Sequence, residues 1–350
     1  MKKINLAVIF GGKSNEHEIS LKSASEVMKG LNNDKYNIIP IAITKAGQWM
    51  IGEAGQQYMQ INLPKANQSG GVDAGAMEPK DVIFSGDELA KMKIDIVLPI
   101  GHGAYIEDGK LQGMLEMLGL PFVFSGTLAH ALAMNKQKTK LVAKNSGLKV
   151  AKEIMLRKNK KYNIEKIIAK FGLPIVVKPT ESGSSVGISI AKTTEELQAS
   201  IDNAFSFGKE VMLEQFVAGR ELTVAIMGNK NPKALPVVEI IPKISTFFDY
   251  AAKYQKGGSE EVCPANIPED VRKKVQKYAV KIFQALDCQD LSRADFIWSN
   301  QDNKLYFLEI NTIPGMTATS LAPQAAAAAG MNFTQFLDKL IGEARKRQAK

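Results

Sequence analysis

Residues 176–190 read VVKPTESGSSVGISI. A β-branched run delivers Lys178 and Pro179, a short loop of Gly and Ser follows, and a second β-branched run leads away. Such runs on both sides predict strand, loop, strand. That order decides the fold, because the GSSVG at Gly183–Gly187 also matches G-x-S-x-G, the serine-hydrolase elbow with Ser185 as nucleophile. An elbow needs a helix after its serine, whereas Val186–Ile190 is strand-like. It also needs a downstream histidine, and His17, His102 and His130 all lie upstream. A triad in another chain order is the poorer reading. What remains is a flexible loop whose N–H groups can wrap phosphate oxygens, helped by the hydroxyls of Ser182, Ser184 and Ser185, with Lys178 as a point charge. Taken alone, a plain hairpin turn is the simpler account.

The chain has 350 residues, room for two or three domains. A net charge of +9 suits an anionic ligand such as a nucleotide. The lysines are spread along the chain and aromatics make up only 7%, so no nucleic-acid partner is expected. The basic run Arg345–Arg347 reads as a solvated helix end. Cys263 and Cys288 form neither a metal pattern nor a disulfide framework, which points to a reducing cytoplasm. Met1-Lys2-Lys3 resembles the start of a signal segment, but the apolar run after it is short, contains Asn5 and ends in Gly11-Gly12, as a first strand does. No stretch approaches the ~18 apolar residues of a membrane span.

Three segments are expected. In residues 1–125 strands at Ile4–Phe10, Asn37–Ile43 and Asp95–Ile100 alternate with helical stretches, the first from Asn15 to Leu31. This rhythm implies an α/β domain with a parallel sheet. Residues 62–80 read as an exposed loop. Residues 126–217 open with one lysine-rich helix, Ala129–Asn145, in which Lys140 and Lys144 read as solvated. Strands at 150–156, 174–178 and 186–191 and a helix from Thr194 make this part α+β. Residues 218–350 continue with strands at 221–227, 235–241, 293–298 and 304–310 and a helix at 268–286. The last helix carries Phe333, Phe336, Leu337, Leu340 and Ile341 on one face.

Two phosphate motifs are near misses. AVIFGGKS at 7–14 lacks the opening glycine of a P-loop, and GHGAYI at 101–106 lacks the last glycine of a dinucleotide fingerprint. The far end of the chain is stronger. In RADFIW (293–298) strict alternation puts Arg293 and Asp295 on one face and Ala294, Phe296 and Trp298 on the other. In YFLEIN (306–311) the same rule puts Phe307, Glu309 and Asn311 together. Oxygens of Asp295, Glu309 and Asn311 beside an arginine suit a hard cation such as Mg²⁺, which keeps room for water and phosphate oxygens. A surface salt bridge is the bland alternative.

The ordered set Lys-Pro-x(4)-Ser-Ser-Val-Gly, Glu-Gln-Phe-Val, Arg-Glu, Arg-x-Asp and Glu-Ile-Asn-Thr-x-Pro-Gly-Met-Thr resembles the ATP-grasp superfamily. Within it the chain resembles the D-alanine–D-alanine ligase family, through GGKSNEHEISLKSA (11–24), HGAYIEDGKLQGMLEMLGLPFVFSG (102–126) and DYAAKY (249–254). The likeness spans nearly the whole chain. It implies an N-terminal α/β domain, two ATP-grasp domains, and ATP-dependent joining of two D-alanines through an acyl phosphate, for peptidoglycan precursors.

Carried over residue by residue, the resemblance implies that Lys136 and Lys178 contact ATP phosphates under a lid at 182–187 that includes Ser184 and Ser185. Glu214 and Val217 sit where the family binds adenine, and Glu221 where it binds ribose. Asp295, Glu309 and Asn311 hold two Mg²⁺ or Mn²⁺ ions. Arg293 and the N–H of Gly315 face the oxyanion. Glu16 meets the ammonium of the first D-alanine and His102 its carboxylate, while Ser320 and the N–H of Leu321 take the second carboxylate. Tyr254 bonds Ser184 and closes the 245–260 loop, with Lys253 facing phosphate, and Tyr254 also argues against a D-lactate acceptor. A homodimer is the family expectation. Each residue has a plainer reading: Asn15 and Glu18 could be a capping box, His102 a core histidine, Tyr254 loop packing, and Ser320 a helix N-cap. One departure stands out. The family usually has a glycine where this chain has Ile106, and a β-branched residue there disfavours positive φ, so the first D-alanine pocket could be reshaped.

Overall fold

The computed structural model describes residues 2–14, 16–63, 89, 92–181, 183, 186–244 and 257–348. The N-terminal part is built on strands β1 (Ile4–Gly11), β2 (Tyr36–Ile43), β3 (Trp49–Ile51) and β4 (Ile96–Ile100), in the order β3-β2-β1-β4. β1 runs parallel to β2 and to β4, and β3 is an antiparallel edge. β1 and β4 are buried nearly end to end, which is why they read as apolar runs rather than alternation. The expected α/β domain is present. Gly11 is required at the end of β1: its φ is +91°, and a Cβ there would lie 2.2 Å from the Ile43 carbonyl oxygen.

The next sheet, all antiparallel, contains β5 (Glu153–Arg157), β6 (Ile175–Pro179), β7 (Ser189–Ala191) and β8 (Glu210–Gln215), ordered β5-β8-β6-β7. β6 and β7 are the two arms around the Gly/Ser loop, so strand-loop-strand holds and the hydrolase elbow does not. The helices Ile164–Phe171 and Thr194–Ala204 cover one face of this sheet through Ile167, Phe171, Leu197 and Ile201.

The last sheet holds β9 (Gly219–Met227), β10 (Lys233–Ala234), β11 (Val238–Pro242), β12 (Ser259–Val262), β13 (Leu291–Ser299) and β14 (Leu305–Asn311). Its main order is β12-β11-β9-β13-β14, and β10 pairs with β9. The helix Glu269–Ala285 packs Val275, Ile282 and Phe283 into its core. The final helix, Phe333–Gln348, buries Phe336, Leu337, Leu340 and Ile341 as its spacing predicts, in the same core as the N-terminal sheet.

Four expectations are corrected. The basic run at the end of the last helix is not wholly solvated: Arg347 pairs with the buried Asp290 at 2.9 Å and donates to the Phe122 and Phe124 carbonyls. The single helix over 129–145 is two, Thr127–Met134 and Lys136–Asn145. Asn135 breaks it by taking extended backbone, and its side chain caps the second helix by accepting from the Lys138 N–H. Lys140 is not solvated: it is 1% exposed and pairs with Glu214, a partner far away in the chain. Phe307 does not share a face with Glu309. A register shift makes Asp295 oppose Glu309 while the next residue, Phe296, opposes Phe307. The extra residue turns Phe307 into the core, edge-on to Phe296 at 5.7 Å, and leaves Glu309 with Asp295.

Candidate active site

The first wall comes from the loop after β1. Ser14 Oγ donates to the His102 carbonyl at 2.8 Å, Ser20 Oγ donates to the Glu16 carbonyl at 3.1 Å, and the His102 N–H donates to Ser20 Oγ at 3.1 Å. These bonds stitch the loop to the turn after β4, so the buried Glu16 and His102 stand side by side. A Cβ on Gly103 would lie 3.0 Å from Glu16 Oε2, and one on Gly183 would lie 2.6 Å from it. The Glu16 carboxylate is therefore wedged between Gly103 and Gly183. Glu16 occupies the N-cap position of the helix His17–Gly30 but makes no side-chain cap bond, and Glu18 pairs with Lys45; Asn15, the other member of the capping-box reading, lies outside the described residues.

Burial works against a charged His102, yet the nearby Glu107 carboxylate, with Glu16 adding, lifts its pKa above the ordinary imidazole value. Glu107 lies 3.9 Å from His102 Nδ1 and accepts the Gly103 N–H at 2.6 Å. Ile106 does not take the strain foreseen for it. Tyr105 carries the positive φ, +72°, and Ile106 is buried with its Cδ1 packed where Cβ atoms on Gly12 and Gly101 would otherwise sit.

The second wall is cationic. Lys178 is the next-to-last residue of β6 and Lys136 opens the helix Lys136–Asn145, whose first N–H bonds the Thr180 carbonyl at 3.1 Å. Lys178 and Lys140 both pair with Glu214, and Lys136 lies 3.6 Å from Glu309. Burial pushes the Lys178 ammonium down to about 8, with Lys136 pushing the same way and Glu309, Glu153 and Glu221 resisting.

The third wall is the pair β13 and β14. Arg293 grips Asp295 with two bonds, Nε to Oδ1 at 3.0 Å and NH2 to Oδ2 at 2.8 Å. Asn311 Nδ2 donates to Asp295 Oδ2 at 3.1 Å, and Thr223 Oγ1 donates to Oδ1. Burial opposes the Arg293 charge, but Asp295, Glu309 and Glu221 outweigh it and raise its pKa. Its field also reaches His102, which ties this wall to the first. Beyond Asn311 the chain turns so that a Cβ on Gly315 would lie 2.9 Å from Ser320 Oγ. Ser320 precedes the helix Leu321–Ala328 without capping it, and its hydroxyl accepts the Thr317 N–H at 3.1 Å.

Among the described residues no cluster of three or more His, Cys, Asp or Glu could cage a metal. Two carboxylates and an amide meet instead. Such a partial oxygen set suits Mg²⁺, which keeps waters and phosphate oxygens in its shell.

The three walls bring together Glu16, His102, Lys136, Lys178, Glu214, Glu221, Arg293, Asp295, Glu309 and Asn311. Val217 follows the end of β8, and Leu321 opens its helix. Ser184, Ser185, Lys253 and Tyr254 lie outside the described residues, as does most of the 245–260 loop. Sequence reading missed Ser14, Glu107, Lys140 and His130. The last is fully buried, bonds Thr312 Oγ1 at 2.7 Å, and is held by burial at a pKa of about 4. The acidic Glu107-Asp108 step just ahead of a helix was the available signal for the second of these.

Lysines held by one antiparallel sheet and its helix, facing carboxylates on a second antiparallel sheet, define an ATP-grasp enzyme with an added α/β domain. Family profiles described as D-ala D-ala ligase N-terminus and C-terminus match residues 5–125 and 142–342. The D-alanine–D-alanine ligase B of Clostridium tetani is 39% identical over 97% of this chain and 93% of its own. The D-alanine–D-alanine ligase of Natranaerobius thermophilus is 38% identical over 99% and 96%. Among solved structures, the VanG D-Ala:D-Ser ligase of Enterococcus faecalis superposes with a TM-score of 0.81 at 33% identity, covering 98% of this chain and 100% of its own. The Bacillus anthracis D-alanine–D-alanine ligase complexed with ATP superposes at 0.75 and 27%, with 99% of both chains covered. The chain belongs to the D-alanine–D-alanine ligase family.

Proposed function

We propose that the protein joins two D-alanines at the expense of ATP, through a D-alanyl phosphate. The observation that carries this reading is the convergence of Lys136, Lys178, Arg293, Asp295 and Glu309 beside Glu16 and His102. A carboxylate is a poor electrophile because oxide is its leaving group. Transfer of the γ-phosphoryl group makes a mixed anhydride, which the amine of a second D-alanine attacks, releasing phosphate.

In this reading Lys136 and Lys178 clamp phosphate oxygens, and the Gly/Ser loop with Ser184 and Ser185 covers them. Glu214 and Val217 border the adenine, and Glu221 the ribose. Asp295, Glu309 and Asn311 would hold two Mg²⁺ or Mn²⁺ ions, which supply charge neutralisation around the triphosphate. Glu16 orients the ammonium of the first D-alanine and His102 its carboxylate. Arg293 and the Gly315 N–H donate to the oxyanion that forms on amine attack, a contribution of several kcal/mol in comparable sites. Ser320 and the Leu321 N–H seat the second carboxylate. Tyr254 and Lys253 close over the site and exclude water, which would otherwise hydrolyse the anhydride.

We divide the chain into residues 1–125, 126–217 and 218–350, and place its work in the cytoplasm as a homodimer. No described helix is long and apolar enough to cross a membrane. A D-serine acceptor is the second reading, because a D-Ala:D-Ser ligase superposes on the chain as well as the D-alanine–D-alanine ligases of Coxiella burnetii and Bacillus anthracis do. Offering D-Ala, D-Ser, D-Lac and L-Ala with ATP and Mg²⁺, and identifying products by mass, separates the two. D-alanyl-D-alanine as main product supports the first reading, D-alanyl-D-serine the second, and no ADP from any acceptor removes both.

A further inference from the structure

Glu214 sits between two ammonium groups. Lys178 reaches one carboxylate oxygen and Lys140 the other. Across the strand pair Glu214 faces Glu153, so a second acidic side chain adds to the local negative charge. The two lysines differ in their surroundings. Lys178 lies near the end of β6, where the Gly/Ser loop begins, and its side chain keeps 9% exposure. The Lys140 side chain is 1% exposed, enclosed between its helix and the sheet. Burial, Lys178 and Lys136 push its pKa down, while Glu153 and Glu309 oppose them.

Local structure puts Lys140 there. Asn135 starts the helix at Lys136, so Lys136 and Lys140, one turn apart, project from the same face. Lys136 points to Glu309 and Lys140 to Glu214, while Lys144 on the next turn is exposed.

Only Lys178 can be surrendered to an incoming phosphate. Without Lys140 that transfer would strand Glu214, 2% exposed, as a buried carboxylate lacking its ammonium partner, and such a state strongly opposes itself. We propose that Lys140 is a positioning residue for nucleotide binding: as the fixed counter-charge of Glu214 it holds that carboxylate in place while Lys178 moves from Glu214 to a nucleotide phosphate. This rests on the reading of Lys178 as a phosphate ligand.

The test is a double-mutant cycle on the full chain with Lys140→Met, Glu214→Gln and the pair. ATP affinity is read by calorimetry, KM for ATP and D-alanine by ADP release, and stability by thermal melting. Lys140→Met should weaken ATP binding by about tenfold or more, with KM for D-alanine within about twofold, and in the Glu214→Gln background it should cost under about threefold. A merely structural role would lower the melting temperature without splitting the two KM values. The inference is overturned if Lys140→Met binds ATP normally, if both KM values rise together, or if the loss is the same in both backgrounds. Should Lys140→Met not fold, the pair, which removes both charges, is expected to fold and to bind ATP no worse than Glu214→Gln; failure there also overturns it. If the unmodified protein binds no ATP at all, the functional reading fails instead, and the two failures are thereby told apart.

Discussion

Asp295 on β13 stands directly opposite Glu309 on β14, and the very next pair along the ladder is Phe296 opposite Phe307. One bulge thus aims two carboxylates at the site and two aromatic rings at the core. Glu309→Gln keeps the shape and removes the charge that faces Lys136 at 3.6 Å. We expect turnover to fall by about 10²-fold or more, with circular dichroism and melting temperature unchanged. ADP release at the native rate would show that Glu309 takes no part in phosphate chemistry.

Lys178 gives the site a pH dependence. Burial holds its pKa near 8, well below the 10.5 of an exposed lysine. The group is charged below pH 8 and loses its proton in the folded state first. Two consequences have opposite signs. ATP affinity should fall by up to about tenfold per pH unit above 8, while the contribution of this group to fold stability rises between pH 8 and 10.5, because the unfolded chain then binds more protons. Calorimetry from pH 7 to 9.5 checks the first. Lys178→Arg, charged throughout, should flatten the profile even if its affinity is lower.

Asn135 links helix capping to the site. Its side chain accepts the Lys138 N–H at 3.0 Å and donates to Glu181 at 2.9 Å. Asn135→Ala should cost about 1–2 kcal/mol, a fall of roughly 3 °C in melting temperature. KM for ATP should rise with it, since Lys136 begins the helix that Asn135 caps. An unchanged KM beside a lowered melting temperature would confine Asn135 to stability.

Gly183 is constrained by contact rather than by backbone angle. A Cβ there would press on Glu16 Oε2 at 2.6 Å. Gly183→Ala should therefore raise KM for D-alanine by about tenfold, given how sharply catalysis depends on sub-ångström placement. Gly342→Ala, where nothing lies within 4 Å, is the control and should be neutral or slightly stabilising. Equal effects from both would remove the assigned link between Glu16 and the loop.

What the sequence revealed was periodicity and ordered motifs. Arg293, Asp295 and Phe296 fell on the faces that alternation assigns, and the last helix buried the stripe its spacing marks. Phe307 did not, because a bulge adds a residue without changing the alternating text around it. Lys140 looked solvated because its partner Glu214 comes from a strand that only the folded sheet brings alongside. The break at Asn135 was hidden in a stretch of good helix formers, where a lone capping residue is weak against propensity. Long-range pairing and local irregularity, not composition, were what remained unread.

The chemistry proposed for this site is activation of a carboxyl group by phosphorylation. D-alanine carrying ¹⁸O in both carboxylate positions, turned over with ATP and Mg²⁺, tests it most directly. If the carboxylate attacks the γ-phosphorus, the phosphate released carries one ¹⁸O and the new amide carbonyl retains the other. Phosphate bearing no label, alongside dipeptide formation, would contradict it.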